Sequence, residues 1–185
     1  MGREEVEAIS FSGSDGKVLS FKELFEHFYP RVISQLSYLV DDWQVTEDLA
    51  QETFIKLYQL PPSQLTNPGG WLAKVAQNLA YNYLRGQKKR WQRELNSQLK
   101  NVYPLVSLEE FVDRKQQVEE VRAVLDLLSE RDRTCLILKF SGYSYSEIAR
   151  AVNVDKNSLG TVLARAQRKF KKIYLQQKGS EGDVL

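Results

Sequence analysis

Residues 144–172 read SYSEIARAVNVDKNSLGTVLARAQRKFKK, and this stretch decides the fold of the C-terminal part of the chain. Ser144 and Glu147 have the spacing of a capping box, which predicts the start of a short helix. The segment 153–155 predicts a tight turn, and Asp155 can serve as the N-cap of a second helix. In that second helix, three- and four-residue spacings predict one buried face: Leu159, Val162, Leu163, Ala166 and Phe170. Together these features predict a helix-turn-helix.

The other face of this second helix carries cations and hydroxyls, and no acid occurs from Lys156 to Ser180. A solvated helix in a bundle is the simpler interpretation, but solvated faces usually mix both charge signs. A purely basic face suits the major groove of DNA, where it meets phosphates and base edges. The pattern therefore favours DNA binding. The candidate contacts are Lys156, Ser158, Thr161, Arg165, Arg168, Lys169 and Lys172.

Charge is unevenly distributed along the 185 residues, although the net charge is only +2. Residues 41–55 contain five acids and no base, whereas the last forty residues are strongly basic. This asymmetry indicates two partners, one basic and one anionic. The single Cys135 excludes an internal disulfide and a multi-cysteine metal site, and its apolar neighbours predict burial. The start MGREEVEAIS lacks the apolar core of a signal peptide, so we expect a cytoplasmic protein.

Helical signals dominate the chain, and no convincing run of alternating strands is present. Ser20 and Glu23 predict a capped helix to about Val40, with a kink or interruption at Pro30. Thr46 is the predicted cap of a second helix, and Asn67-Pro68 predicts the start of a third that continues towards Leu95. Ser129 predicts the start of a later helix over 130–140, and Gly142 its end.

The predicted fold is all-α, with two small helical domains joined by a short linker. Residues 1–19 contain Ser-Gly-Ser-Asp-Gly and are expected to be mobile. The first domain spans 20–97, the linker 98–117 and the second domain 118–175. Within the linker, Ser107 is expected to cap a new helix, and the tail 176–185 is expected to be flexible.

Asp48 and Glu52 lie four residues apart and therefore share one face of the second predicted helix. Paired carboxylates can bind a metal or act in acid–base chemistry, which would suit a metal-dependent nuclease. The only histidine is His27, and no Gly-rich phosphate loop is present. A solvated acidic face or a docking face for a basic protein are the better interpretations.

The segment 71–93 reads WLAKVAQNLAYNYLRGQKKRWQR and mixes aromatic residues with bases. Three- and four-residue steps place one set of side chains opposite the predicted core, and we call it the polar stripe: Lys74, Asn78, Tyr81, Asn82 and Arg85. A basic cluster that includes Lys88 and Lys89 extends it. Rings that stack on bases and cations that follow phosphates suit single-stranded DNA. Trp71 can pack inward or border this site, and the sequence leaves both possibilities open.

Three segments in this order carry a family resemblance: TEDLAQETFIKLYQL, NPGGWLAKVAQNLAYNYLRGQKKR and LSERDRTCLILKFSGYSYSEIARAVNVDKNSLGTVLARAQRKF. They resemble the extracytoplasmic-function group of bacterial RNA polymerase sigma factors, over residues 20–175. The linker is too short for the extra middle domain of larger sigma factors, as in this smaller group.

The resemblance implies roles for particular residues. The set implied to bind core polymerase is Asp48, Gln51, Glu52 and Phe54. The set implied to open and read the −10 promoter element is Ser63, Gln64, Trp71, Lys74, Asn78, Asn82, Arg85, Lys88 and Lys89. The second helix of the helix-turn-helix is implied to read the −35 element.

These inferences predict a promoter-specificity subunit of bacterial RNA polymerase that is not an enzyme and needs no cofactor or metal. Its expected partners are core polymerase, promoter DNA and an anti-sigma protein. The alternative is a helix-turn-helix regulator that binds an operator and carries a helical sensing domain. The absence of evident dimerisation heptads in the sequence counts against this alternative.

Overall fold

A computed structural model describes residues 10–12, 18–61, 65–96 and 109–181. Two antiparallel strands, β1 at Ser10–Ser12 and β2 at Val18–Ser20, pair with Ser10 opposite Ser20. These short strands lie at the C-terminal side of the segment 1–19, whose mobility stays a prediction.

Helices form the rest of the described chain, and the all-α prediction is confirmed apart from the short hairpin. The seven helices are α1 Phe21–Ser37, α2 Trp43–Tyr58, α3 Pro68–Asn96, α4 Glu109–Asp126, α5 Glu130–Phe140, α6 Tyr145–Ala151 and α7 Lys156–Glu181.

Serine caps begin three of these helices, as the sequence predicts. Ser20 and Glu23 form a complete capping box on α1, and Ser144 and Glu147 form another on α6. The Ser129 hydroxyl accepts a hydrogen bond from the Asp132 amide at the start of α5. Asn67 caps α3 by accepting a bond from the Gly70 amide at 2.8 Å, and Pro68 occupies the first helical position.

Two local predictions in the first half need correction. The interruption predicted at Pro30 is absent, since helix α1 is continuous over Phe21–Ser37, whereas the alternative of a kink stays a prediction. Pro30 lies on the exposed side of α1, where water can satisfy the carbonyl that it leaves free. Asp42, and not Thr46, caps α2, since its carboxylate accepts bonds from the amides of Gln44 and Val45. Thr46 is buried one turn later and donates to the Asp42 carbonyl.

Two predicted boundaries in the second half also shift. Helix α4 begins at Glu109, inside the predicted linker, so residue 118 lies within a helix. The cap predicted at Ser107 lies outside the described residues. Helix α7 continues to Glu181 and takes in most of the tail predicted to be flexible. An ion pair of 2.8 Å from Lys178 to Glu120 joins this end of α7 to α4.

The helix-turn-helix is built by two left-handed residues that end helices. Gly142 has φ +85°, and the Tyr143 amide donates back to the Leu138 carbonyl across it. Asn153 has φ 54°, and the Val154 amide likewise donates to Ala149. Both are Schellman ends, which stop α5 and α6 and fix the direction of the next helix. The predicted buried face of α7 is found, with Leu159, Leu163 and Ala166 inside.

One continuous core joins residues of both predicted domains. Leu24, Leu36 and Leu72 are buried on the first side, and Leu138 and Ile148 on the second. Phe28 of α1 stacks on Tyr143 at a centroid distance of 6.4 Å, across the junction between them. Cys135 is buried as predicted, and burial raises the pKa of its thiol to about 11. In the described part of the chain, every helix is too short or too polar to cross a membrane.

Candidate nucleic-acid interface

Helix α7 lies with its apolar side on the core and its basic side in solvent. The side chains of Lys156, Ser158, Thr161, Arg165 and Arg168 are exposed, as are those of Lys169 and Lys172. Asp155 caps this helix by accepting a bond from the Asn157 amide at 2.8 Å. A Cβ atom placed on Gly160 would meet nothing within 4 Å, so this part of the helix surface is open. The exposed side can enter a DNA groove without rearrangement of α7 itself.

Lys169 differs from the other predicted −35 contacts because it forms an ion pair with a buried acid of the protein. Its ammonium group lies 2.5 Å from the Asp132 carboxylate, and Asp132 is only 1% exposed. Burial pushes the pKa of Asp132 upward, but hydrogen bonds from Lys169 and Ser129 and the nearby positive charges outweigh it. The pKa of Asp132 therefore lies below its ordinary value, and the carboxylate holds Lys169 against α5.

The polar stripe forms on α3 as predicted, opposite a face of buried small residues. Ala73, Ala76 and Ala80 are fully buried, whereas Lys74, Asn78, Asn82 and Arg85 are exposed. The Arg85 guanidinium donates to the Asn82 side-chain oxygen at 2.6 Å and to the Tyr81 carbonyl at 3.3 Å. These contacts fix Arg85 along the helix. No acid occurs from Pro68 to Arg93, so every charged side chain of the stripe is positive.

The rest of the predicted −10 set lies close to the stripe or outside the described residues. Lys88 and Lys89 are exposed and continue the positive surface along α3. Trp71 is half-buried and packs against the core, and its place beside a DNA site stays a prediction. Ser63 and Gln64 lie outside the described residues.

A groove of about 930 Å³ runs beside the polar stripe, between α3 and the helices α4 and α5. Asn78, Tyr81, Arg85 and Lys88 line one wall of this groove. The opposite wall carries three acids and two arginines: Glu119, Asp126, Glu130, Arg122 and Arg133. The Arg133 guanidinium lies over the Tyr81 ring at 5.5 Å and also pairs with Asp126 at 2.5 Å.

The predicted polymerase-binding set divides between the surface and the core. Asp48, Gln51 and Glu52 are exposed on α2, and Glu52 pairs with Lys56 at 3.3 Å. Phe54 is 3% exposed and packs on Phe25 at 4.8 Å, so it supports α2 from inside and does not reach its surface.

Sequence reasoning missed three apolar side chains on the surface of α2: Trp43 at its start, which is 59% exposed, and Ile55 and Tyr58 further along. Ile55 is 55% exposed and Tyr58 is 38% exposed, beside Gln51 and Glu52. The available signal was the position of Ile55, three residues after Glu52 and four after Gln51 on the same helical face. Within the described residues, no group of three or more His, Cys, Asp or Glu side chains is arranged to hold a metal ion.

Comparison with known families identifies both halves of the chain. The family described as Sigma-70 region 2 matches residues 24–90, and the family described as Sigma-70, region 4 matches residues 118–170. The two matches fall within the two predicted domains, in the predicted order. The fold and its basic helices are those of a sigma factor, and the chain belongs to the sigma-70 family.

Curated relatives place the chain in the extracytoplasmic-function (ECF) group of that family. The ECF RNA polymerase sigma factor SigX of Bacillus subtilis is 27% identical over 164 residues, covering 83% of this chain and 82% of SigX. The RNA polymerase sigma factor YlaC of the same species is 26% identical, covering 83% of this chain and 91% of YlaC.

Two solved structures share the fold. The sigma factor RpoE in complex with the anti-sigma factor NepR, from Bartonella quintana, superposes with a TM-score of 0.57 and 21% identity, covering 84% of this chain and 96% of RpoE. CnrH in complex with the cytosolic domain of CnrY gives a TM-score of 0.54 and 16% identity, covering 83% of this chain and 86% of CnrH.

Proposed function

We propose that this sigma factor binds core RNA polymerase through the exposed side of α2, reads the −35 element with α7 and captures the melted −10 strand on the polar stripe of α3. One observation carries the proposal: residues 68–93 and 156–180 lie on separate helices, expose cations and contain no acid. One acid-free helix suits the major groove of duplex DNA, and the other suits an unpaired strand.

Promoter opening follows from differential binding. The polar stripe carries amides, a ring and cations that can contact unstacked bases and their phosphates. A ligand that binds the open strand more tightly than the duplex shifts the equilibrium towards the open state. The chain therefore acts by binding alone, without catalysis and without a cofactor, and we place this activity in the cytoplasm.

We further propose that an anti-sigma protein regulates this chain. RpoE and CnrH, whose folds this chain shares, are each seen with a protein partner, NepR and CnrY. A partner that covers the acidic and apolar side of α2 would exclude core polymerase. The exposed Ile55 and Tyr58 would give such a partner apolar contacts.

Reconstitution with core polymerase tests the main proposal. Purified chain is added to bacterial core enzyme and genomic DNA, and 5′ ends of the transcripts are mapped. We expect new start sites that share two upstream sequence elements. The double variant Asp48→Lys, Glu52→Lys serves as the control, since like charges would face a basic surface and weaken docking by several kcal/mol.

The same preparation separates the alternative interpretations. An operator-binding regulator would bind specific duplex sites without core polymerase, usually through paired half-sites. A nuclease would cleave DNA once Mg²⁺ is added. Either result, combined with no chain-dependent transcription, would contradict the proposal.

A further inference from the structure

The side chain of Arg85, in the polar stripe, is held by its own helix. Its Nη2 donates to the Asn82 side-chain oxygen at 2.6 Å, and its Nε donates to the Tyr81 carbonyl at 3.3 Å. These two nitrogens lie on the same side edge of the planar guanidinium group. Both acceptors come from the preceding turn of α3, so the side edge of Arg85 is fixed against the helix before any ligand arrives.

The end edge of the Arg85 guanidinium, formed by Nη1 and the second hydrogen of Nη2, has no such contact. Within the described residues, Nη1 makes no hydrogen bond and none of the ion pairs includes Arg85. The acids Glu119, Asp126 and Glu130 line the far wall of the groove without pairing with it. Because Arg85 is exposed, its end edge is available to a ligand.

The chemistry of this edge selects the kind of ligand. Two parallel N–H groups match a partner that presents two acceptors side by side. A DNA strand presents such pairs in two places, as two oxygens of one phosphate and as O6 with N7 of guanine. A lysine could not replace Arg85 here, since an ammonium group is a point charge without a planar pair of donors.

Asn82 fixes Arg85 without neutralising it. A carboxylate at this position would also accept the hydrogen bond, but it would place a negative charge within residues 68–93, which contain no acid. That charge would offset the guanidinium and repel the phosphates of a bound strand. The amide supplies the acceptor alone, so the positive charge of Arg85 stays available to DNA.

Arg168 of α7 shows what the second acceptor adds. Its Nε also donates to the carbonyl four residues earlier, that of Ala164, at 3.3 Å. The residue three positions before Arg168 is Arg165, whose side chain has no acceptor. The backbone contact therefore recurs, whereas the side-chain contact at Arg85 depends on the choice of asparagine at position 82.

We propose that Asn82 is a positioning residue for Arg85, whose end edge makes a bidentate contact with an acceptor pair of the melted −10 strand, on a phosphate or on guanine. The inference rests on the proposed capture of that strand by the polar stripe. A long side chain that is already fixed loses less conformational freedom on contact, which raises affinity by about two- to tenfold.

A double-mutant cycle tests whether Asn82 acts through Arg85. Holoenzyme is assembled from core polymerase and each variant, and fluorescence anisotropy measures its affinity for the unpaired −10 strand of a promoter mapped with the wild-type chain. We expect Asn82→Ala to weaken binding about two- to tenfold, and to have little further effect once Arg85→Lys has removed the planar donor pair. Additive losses from these two substitutions overturn the positioning role.

Asn78→Ala is the matched control for this cycle. Asn78 is exposed on the stripe, one turn before Asn82, and Arg85 does not donate to it. Its amide is lost in the same way, but Arg85 keeps its acceptor. The effects of Asn78→Ala and Arg85→Lys should therefore add, and coupling as strong as that of Asn82 overturns the assignment to Asn82.

Chemically modified strands identify the acceptor pair. Replacement of guanine by 7-deazaguanine removes N7, and a methylphosphonate replaces one charged phosphate oxygen by a methyl group. One of these changes at one position should weaken wild-type binding about tenfold, and Arg85→Lys should lose this sensitivity. Asn82→Ala should reduce the sensitivity, and Asn82→Asp, which restores the acceptor, should recover it at lower overall affinity. Full sensitivity in both Arg85→Lys and Asn82→Ala overturns the proposal.

The wild-type holoenzyme separates failure of this inference from failure of the proposed function. Pull-down with core polymerase and circular dichroism check that every variant docks and folds. If the wild-type chain captures the −10 strand but the losses at Asn82 and Arg85 add, only the positioning role is overturned. If the wild-type chain directs no transcription and captures no strand, the proposed function is overturned as well.

Discussion

Lys169 could pair with DNA or with an acid of the protein itself, and the structure shows the pair within the protein. Its position on α7 matches the predicted −35 set, yet its ammonium group lies 2.5 Å from the buried Asp132 carboxylate. An unpaired carboxylate in this place would be costly, because the second Asp132 oxygen is buried without a hydrogen-bond partner among the described residues. Lys169 therefore contributes to the stability of the helix-turn-helix, whatever it contributes to DNA binding.

The Asp132–Lys169 pair predicts a pH-dependent loss of stability. The pKa of Asp132 is lowered in the fold, so its contribution is present above the unfolded value of about 3.9 and disappears as the pH falls through the lower folded value. Asp132→Asn should cost about 1–3 kcal/mol at neutral pH, reduced from the full buried-pair figure because Lys169 is half-exposed. Urea unfolding from neutral to strongly acidic pH checks this. A deficit that is the same at every pH would contradict it.

Arg165 and Lys172 should affect DNA binding in different ways. Arg165 follows Thr161 by one turn on the exposed side of α7, so we expect it to reach base edges. Lys172 lies two turns later, where we expect the helix to leave the groove. Arg165→Ala should relax preference at one −35 position by about 1–3 kcal/mol. Lys172→Ala should weaken all sequences alike and flatten the salt dependence by about one unit of slope.

Affinities for a library of −35 variants at two salt concentrations separate these outcomes. A uniform loss for Arg165→Ala would reduce that residue to a phosphate contact. Base reading would then shift to Ser158 and Thr161, or to close backbone approach at the open Gly160.

At the scale of elements, the proposed polymerase-binding face of α2 combines polar and apolar side chains. The exposed acids Asp48 and Glu52 can steer a basic partner, while Ile55 can supply buried area on contact. Phe54 is on the opposite side, within an aromatic cluster that includes Phe25 and Tyr29. Its substitution would disturb the fold before it disturbed docking.

Ile55→Ser should therefore weaken core polymerase binding by more than about 1 kcal/mol with little change in stability. Leu175→Ser is a matched control, since Leu175 is 56% exposed and Ile55 is 55% exposed. Anisotropy with labelled core enzyme gives the affinity, and thermal unfolding gives the stability. Equal affinity for the two variants would remove Ile55 from the docking face.

Local signals predicted helices well wherever the responsible contacts lie within one turn. The capping boxes at Ser20 and Ser144 and the stop at Gly142 depend on neighbours in sequence, and all three are found. Local signals did not decide between two neighbouring residues that can both cap α2. Thr46 was the predicted cap, but Thr46 is buried in the core and Asp42 is the cap. Helical periodicity also predicted the polar stripe, but it holds no information about the residues of α4 and α5 that face the stripe across the groove.

At the scale of the whole molecule, the sequence predicted two domains but not their packing. The contacts between them depend on single atoms, such as the Arg122 guanidinium at the end of α1, and on absent side chains at Gly69 and Gly70. Neither leaves a periodic signal in the sequence. The groove beside the stripe is a consequence of that packing, so the sequence alone could not predict it.

Two glycines of α3 allow this packing to be tested with one type of substitution. Gly86→Ala should stabilise the protein by up to about 1 kcal/mol, because a Cβ there meets only the end of Arg90 at 4.0 Å and alanine favours the helix. Gly70→Ala should instead destabilise it by about 1–3 kcal/mol, since its Cβ would collide with the Arg150 Cβ and a backbone oxygen on α6. The same substitution in the same helix thus has opposite signs only if α6 is docked in solution. Calorimetric unfolding of both variants decides it, and stabilisation by both would show that the two domains are apart.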